Sequence, residues 1–384
     1  MDPERPARRR RADVVVIGGG IIGCAATAIM ADRGARVVLV EGSAIGAGAS
    51  GRNLGAIQHP FDAALTPLYH ESLTRYRALA DASGGAFTVG AVPAGLLLLN
   101  PDPDAAARQV PRYRSVDPSL GPELLDPEQV VACEPSLSFG PSGIRLATGF
   151  PIPPASATEA WADLAEDRGA ELLIGVPGRP AMEGDRITGV DLDDGSEILA
   201  DAVLVAAGPW TPRLVDPSGT WRPIVPTYGV TVQLRLGEAA PRHIVEEDAV
   251  DTINRSAPAP DAAGGEPPSL FSIASAGGIS TLGSTFLTTE VDPAPIEALL
   301  LRRAAAFLPA IADAEILGRR MCARPQSVDG RPFIGAVGGV DGLFVCAGHG
   351  PWGISTGPAS AALAARAVLD GTTPPAELVA SRPF

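Results

Sequence analysis

At 384 residues, 46% of them hydrophobic and only 19% charged, the chain is long enough for two folded units with sizeable cores. Its net charge of −14 argues against a nucleic-acid partner, and Gly, Asp or Arg interrupts every apolar run short of a membrane span. All thirty basic residues are arginine, which excludes any mechanism that needs a lysine, whether as a Schiff base, in a P-loop or as an ammonium group beside a cofactor.

In chain order, residues 1–11 read as a disordered basic tail. The arginines at 8–11 precede an apolar run, as in an export signal, but that run is needed by the fold, so a cytoplasmic protein is expected. Val14 to Ile17 predicts a buried parallel strand, and Gly18, Gly20 and Gly23 follow on the G-x-G-x-x-G spacing of a dinucleotide fingerprint. The first glycine permits the turn, the second lets a pyrophosphate approach the backbone, and the third lets helix and strand pack closely. Ile21 and Ile22 then open a helix whose positive end meets the phosphates. A second strand, Val37 to Val40, ends in Glu41, a carboxylate suited to ribose hydroxyls. Strand, glycines, helix, strand and acid within one unit predict an adenine dinucleotide fold.

The small residues from Gly46 to Gly55 cannot form a core. They read as a loop that brings backbone N–H groups and Ser50, Arg52 and Asn53, flanked by Gly51 and Leu54, to a large ligand; an ordinary surface loop is the alternative. A helix follows from Leu65. Residues 86–100 read as strands, 101–141 as short helices broken by prolines, and 143–148 as another strand. Ser156 to Arg168 predicts a helix and Glu171 to Ile174 a strand. Ile187 to Leu192 and Glu197 to Leu199 form a hairpin around Asp194-Gly195, and Ala202 to Gly208 is a buried strand ending near Trp210.

Strands are expected again at 228–236, 269–274 and 279–286, with Asp292-Pro293 starting a helix. Residues 256–268, rich in Pro, Ala and Gly, read as a mobile loop or lid. Residues 333–335 and 343–348 return to the first sheet, and a helix from Gly357 to Leu369 begins beside His349. Cys24, Cys133, Cys322 and Cys346 are scattered without a C-x-x-C pair, which excludes an obvious zinc site and suits a reducing compartment. No metal ligand set is expected.

Four motifs occur in order: the fingerprint with Glu41, the Gly-Ala-Ser-Gly-Arg-Asn loop, Val-Ala-Ala-Gly-Pro-Trp, and Arg-Pro-(x)3-Asp-Gly-Arg-Pro-(x)2-Gly…Ala-Gly-His-Gly-(x)2-Gly-Ile. Together they resemble the FAD-dependent D-amino-acid oxidase, glycine oxidase and sarcosine oxidase family across essentially the whole chain. The resemblance implies an α/β fold in which a Rossmann-like FAD-binding domain (12–85, 151–222 and 321–384) is interleaved with an α+β substrate domain built on a mixed sheet (86–150 and 223–320). It also implies oxidation of an amine or amino-acid C–N bond by hydride transfer to flavin N5, giving an imine that water hydrolyses, with oxygen or another acceptor taking the electrons.

On that resemblance Gly208, Trp210, Gly348, His349, Gly350, Gly353 and Ile354 join the cofactor residues, and the last helix aims its dipole at the flavin pyrimidine. Arg324 matches an arginine that grips the substrate carboxylate in glycine oxidase, with a structural ion pair as the alternative. A second arginine placed in glycine oxidase just after the equivalent of His349 is Pro351 here. His59 lies on a loop that covers the flavin in relatives, or is simply exposed. Tyr228 and Trp352 either wall the pocket or belong to the core. Cys322, seven residues before Asp329, matches the spacing of the cysteine that sarcosine oxidases bond to FAD, or fills a sheet position.

Two further readings stay open. One is oxidation of a 2-hydroxy acid C–OH bond, which needs a base such as a histidine over the flavin. The other is a non-catalytic flavin-binding subunit, for which the pocket would be filled by side chains.

Overall fold

The computed structural model describes residues 9–249 and 266–384. Val14–Ile17 is the centre of a six-stranded sheet and is buried along its length. Val14 and Val16 enter one apolar core while Val15 and Ile17 enter another; a strand covered on both faces needs such an unbroken apolar run. Gly18 then turns the chain at φ +117, where a side chain would be strained. The helix Ile21–Asp32 follows, and Val37–Glu41 returns parallel to Val14–Ile17.

Across the sheet the order is Phe333–Ala336, Leu343–Ala347, Ala202–Val205, Val14–Ile17, Val37–Glu41 and Glu171–Ile174. Only the first pair is antiparallel. The helices Ile21–Asp32, Ser156–Asp167 and Gly353–Asp370 cover one face, with Thr66–Ala82 packed outside them. A four-stranded sheet, in which the predicted hairpin Arg186–Leu192 and Glu197–Leu199 is central, covers the other.

The expected disordered tail needs correction where it is described. Arg9–Arg11 is a strand parallel to Glu197–Leu199. Arg10 pairs with Glu171 at 3.3 Å, so those arginines serve the sheet rather than a free tail.

A second, mixed sheet of eight strands runs Glu315–Ser327, Ile224–Arg235, Ile279–Thr285, Ser269–Ala276, Ile244–Glu247, Leu96–Asn100, Ser142–Leu146 and Glu123–Leu125. Alternate residues such as Val230, Val232, Val245, Phe271, Ile273 and Leu282 point into a core closed by the Pro293–Ala305 helix. The Asp292 side chain caps that helix by accepting from Ala294 N. The residues between them face the opposite way.

Three boundaries differ from expectation. The strand expected over 86–100 is confined to Leu96–Asn100, because Gly90, Pro93 and Gly95 interrupt what precedes it. Glu315–Ser327 runs unbroken through residue 321, so the chain returns to the first sheet only after Ser327. The C-terminal helix starts at Gly353, not Gly357, and carries Pro358 inside it. The carbonyl that Pro358 leaves without an N–H donor is that of Ile354, and Tyr76 Oη donates to it at 2.7 Å. Most of the expected loop at 256–268 lies outside the described residues.

Candidate functional site

The carboxyl ends of the central strands open onto a cleft of about 880 Å3 that reaches the eight-stranded sheet on the face away from Pro293–Ala305. Gly18, Gly20, Ile21, Ile22 and Glu41 build one end. The first-turn amides there lack partners within the helix and carry its positive dipole end. Ser50 Oγ accepts from Ile21 N at 3.0 Å and ties the short helix Ala49–Arg52 to this turn. Glu41 Oε2 accepts from Gly19 N and Oε1 from Ser43 N, both at 2.7 Å. A carboxylate so held keeps further lone pairs for hydroxyl donors.

Arg52 and Asn53 line the cleft, and each also makes contacts within the fold. Asn53 Nδ2 donates to Ser50 O at 2.7 Å and Oδ1 accepts from Gly55 N at 2.7 Å, which closes the loop on itself. Arg52 donates to Met321 O at 3.2 Å, and Arg320 donates to Gly51 O at 3.1 Å, so the loop is pinned to the Glu315–Ser327 strand.

Leu54, Gly208, Trp210, Cys322, Arg324, His349, Gly350, Trp352, Gly353 and Ile354 also line the cleft. Gly23, Gly51 and Gly348 do not; they allow close packing behind it, and a Cβ at Gly23 would overlap the Gly18 carbonyl oxygen. His349 is 1% exposed, and neither ring nitrogen has a hydrogen-bond partner. Burial pushes its pKa down to about 3, so the ring is neutral and presents a donor and an acceptor. The glycine turn, the helix start and this unpartnered imidazole suit an extended ligand with phosphates at one end and a polar ring at the other.

Arg324 carries the charge at the substrate end. Its Nη1 donates to Thr285 O at 3.0 Å, Nη2 donates to Ser284 Oγ, and the guanidinium lies 5.1 Å from the Phe286 ring centre. A Cβ at Gly229 on the neighbouring strand would overlap it, so that glycine makes its berth. Burial lowers the Arg324 pKa, and among the described residues no carboxylate pairs with it.

Two candidates need correction. Tyr228 lies opposite Ala323, whereas Gly229 lies opposite Cys322 and Thr227 opposite Arg324. Alternation therefore turns Tyr228 away from the cleft. His59 is 0% exposed and also outside the cleft, because in the extended stretch after Ala56–Ile57 it is Gln58 that faces inward. His59 Nδ1 accepts from Phe61 N at 3.0 Å and Nε2 lies 3.1 Å from Thr66 Oγ1. His70 and Asp117 stand close enough to suggest a metal site. Because Nδ1 is an acceptor, however, the neutral ring keeps its proton on Nε2, the atom a metal would need.

Burial pulls the His59 pKa from 6.5 down to about 4, opposed in part by Asp117 and Asp62. The unfolded chain thus binds more protons than the native one below pH about 6.5. Stability is full above that pH and is lost as pH falls toward about 4, by up to about 1.4 kcal/mol per pH unit for one such histidine. Urea midpoints between pH 7 and 5 are expected to fall on acidification. His59→Asn, whose amide oxygen can still accept from Phe61 N, should flatten the slope by about one proton; an unchanged slope would contradict this.

Sequence reasoning missed Gln58, Thr231, Glu246, Ser272, Ser284 and Phe286, all of which line the cleft. Period-two alternation marks which residues of each strand share a face, but not which face meets the cleft.

The family described as FAD dependent oxidoreductase (DAO) matches residues 13–367. The chain belongs to this family. It is 31% identical over 367 residues to glycine oxidase of Pseudomonas aeruginosa, covering 92% of this chain and 93% of that protein. To a D-amino acid dehydrogenase of Cereibacter sphaeroides it is 30% identical over 282 residues, 71% of this chain and 60% of that one. The crystal structure of glycine oxidase from Geobacillus kaustophilus superposes with a TM-score of 0.79 at 25% identity, covering 98% of this chain and 100% of that chain. As in the rest of the DAO family, the cofactor is FAD, and the α/β fold expected from the sequence is the family's own. No helix among the described residues is long and apolar enough to cross a membrane.

Proposed function

We propose that this DAO-family flavoenzyme oxidises the C–N bond of an amino acid or secondary amine, with Arg324 holding the substrate carboxylate. The observation that carries the reading is Arg324 itself. A desolvated guanidinium that faces an open cleft, and is held among the described residues by neutral acceptors alone, leaves its charge to be balanced by an anion from outside. Bound FAD supplies a hydride acceptor. The chain's own residues would bind and orient it and exclude water: Glu41 would hold the ribose, the Ile21–Asp32 helix start the pyrophosphate, and His349 with the start of the Gly353–Asp370 helix the polar ring. Phe286 and Trp352 wall the substrate end.

We further propose that residues 12–85, 151–222 and the segment after Ser327 form the FAD domain, and that the eight-stranded sheet is the substrate domain. Four cysteines without a disulfide among the described residues suit a cytoplasmic location.

Two features favour amine over hydroxy-acid oxidation. A neutral amine needs no base to lose a proton first, whereas an alcohol does. His59 is outside the cleft, and His349, with its pKa near 3, is a weak base. The open cleft also opposes a purely structural flavin subunit. Anaerobic bleaching of the flavin by amino acids, N-methyl amino acids or cyclic imino acids, but not by hydroxy acids, is the expected result. Bleaching by hydroxy acids alone would overturn the reading.

Cys322 lines the cleft, and burial raises its thiol pKa despite Arg324, Arg320 and Arg52 nearby. A protonated thiol is a poor nucleophile, so FAD is expected to be held non-covalently. Acid precipitation should release all the yellow colour to the supernatant; colour kept in the pellet would show a thioether. Because no lysine can stand over the flavin, we expect slow reoxidation by oxygen and a role for another acceptor. Stopped-flow reoxidation as fast as in a lysine-containing oxidase would contradict that.

A further inference from the structure

On the face of the eight-stranded sheet away from the cleft, a thiol, an imidazole and a carboxylate stand in line. Cys133 ends the helix Pro127–Cys133 and packs, partly buried, against the core closed by Pro293–Ala305. Its Sγ lies 3.4 Å from His243 Nε2, and His243 Nδ1 lies 3.0 Å from Glu134 Oε2. Cys133, Glu134 and His243 are all outside the cleft lining.

Glu134 settles which way the proton points. Burial raises its pKa, but hydrogen bonds from the His243 ring and backbone, Ser136 Oγ and Arg242 N overcome this and hold it down to about 2. An ionised carboxylate only accepts, so Nδ1 carries the proton of the neutral His243 ring and Nε2 presents its lone pair to the thiol. Gly95 makes the berth for this ring, since a Cβ there would stand 2.7 Å from His243 Cδ2. The Arg145 guanidinium, paired with Glu123 at 2.6 Å, adds a positive charge near the sulfur. A nucleophile, a base within reach of its proton and a third group that orients the base are the parts by which a weak nucleophile is activated. His243 is the base here, and Glu134 is the positioning residue.

We infer that Cys133 is a nucleophilic thiol that takes low-molecular-weight disulfides, forming a mixed disulfide on this face of the sheet. Sγ attacks one sulfur of the disulfide as the S–H proton passes to His243 Nε2. The bond between Cys133 and that sulfur forms, the bond within the small disulfide breaks, and the departing thiolate takes the proton back from the imidazolium. Cys133 is oxidised by as much as the leaving half is reduced, so no other oxidant is needed. Exchange between sulfurs develops no oxyanion, and so it asks for no donors beside the thiol beyond those the cluster has. The inference stands apart from the amine-oxidase reading of the cleft.

The test adds glutathione disulfide to the holoenzyme at pH 7, follows adducts by intact mass and maps them by peptide analysis. Burial raises the thiol pKa of Cys24, Cys322 and Cys346. A single adduct is therefore expected, on Cys133, forming at least about tenfold faster than on free cysteine, as a positioned base allows. His243→Ala should slow it by at least about tenfold, and imidazole in the buffer should restore part of the rate, a rescue that a merely structural histidine does not give. Cys133→Ala should take up no glutathione. The inference is overturned by the absence of an adduct, by an adduct on another cysteine, or by a rate no faster than that of free cysteine, and none of these outcomes needs a variant to fold. An unchanged rate in His243→Ala overturns it as well.

Discussion

Arg324→Ala is expected to raise the KM of an oxidised amino acid by about 30- to 1000-fold, the loss of about 2 to 4 kcal/mol that a charge-assisted bidentate contact supplies. The side chain reaches the cleft from the Glu315–Ser327 strand across Gly229, and Thr285 O and Ser284 Oγ hold it from the far side. Its removal deletes the guanidinium charge here and leaves the residues at the nucleotide end of the cleft in place. An amine without a carboxylate should lose far less, which separates carboxylate binding from general damage. Arg324→Lys should recover only part of the loss, because an ammonium is a point charge and cannot hold two oxygens in one plane. If KM and kcat of Arg324→Ala were unchanged for every oxidised substrate, the assignment would be wrong.

The second large effect concerns two glycines three residues apart that fail in different ways. At Gly20 an added Cβ would sit 3.0 Å from Ser50 Oγ, a side chain able to give way, so Gly20→Ala should fold. The new methyl group would still stand where the backbone must approach a pyrophosphate. FAD affinity is expected to fall by about 100-fold, roughly 3 kcal/mol, with little change in the melting temperature of the apoprotein. At Gly23 the Cβ would overlap the Gly18 carbonyl oxygen, a backbone atom at the turn that joins the central strand to its helix. Gly23→Ala is therefore expected to lower apoprotein stability itself by several kcal/mol, as strain at a fixed backbone position does. Fluorescence titration with FAD and thermal melting of both apoproteins distinguish these outcomes. A Gly20→Ala protein that binds FAD normally would remove the phosphate role from this turn.

The nucleotide end of the cleft was legible in the sequence because it is local. Gly18, Gly20, Gly23 and Glu41 lie within 24 residues, and their spacing follows from the geometry of one strand, one turn and one helix. The buried strands declared themselves as unbroken apolar runs, and the order of four motifs identified the family. Arg324 was legible only through its motif; what sets it apart, a cation with no carboxylate beside it among the described residues, is a property of its surroundings.

Tertiary structure alone decided the substrate end. Gln58, Thr231, Glu246, Ser272 and Ser284 come from five separate stretches of chain and meet only because the strands stack in a non-sequential order. His59 and Gln58 are adjacent, and alternation sends one into the cleft and the other into the core, a choice that depends on what each face packs against. Tyr228 was misplaced for the same reason. The C-terminal helix gained a turn because a tyrosine nearly three hundred residues away donates to the carbonyl that Pro358 frees. Propensity and spacing act over one element, whereas the direction of a side chain within an element is set by partners far away in the chain.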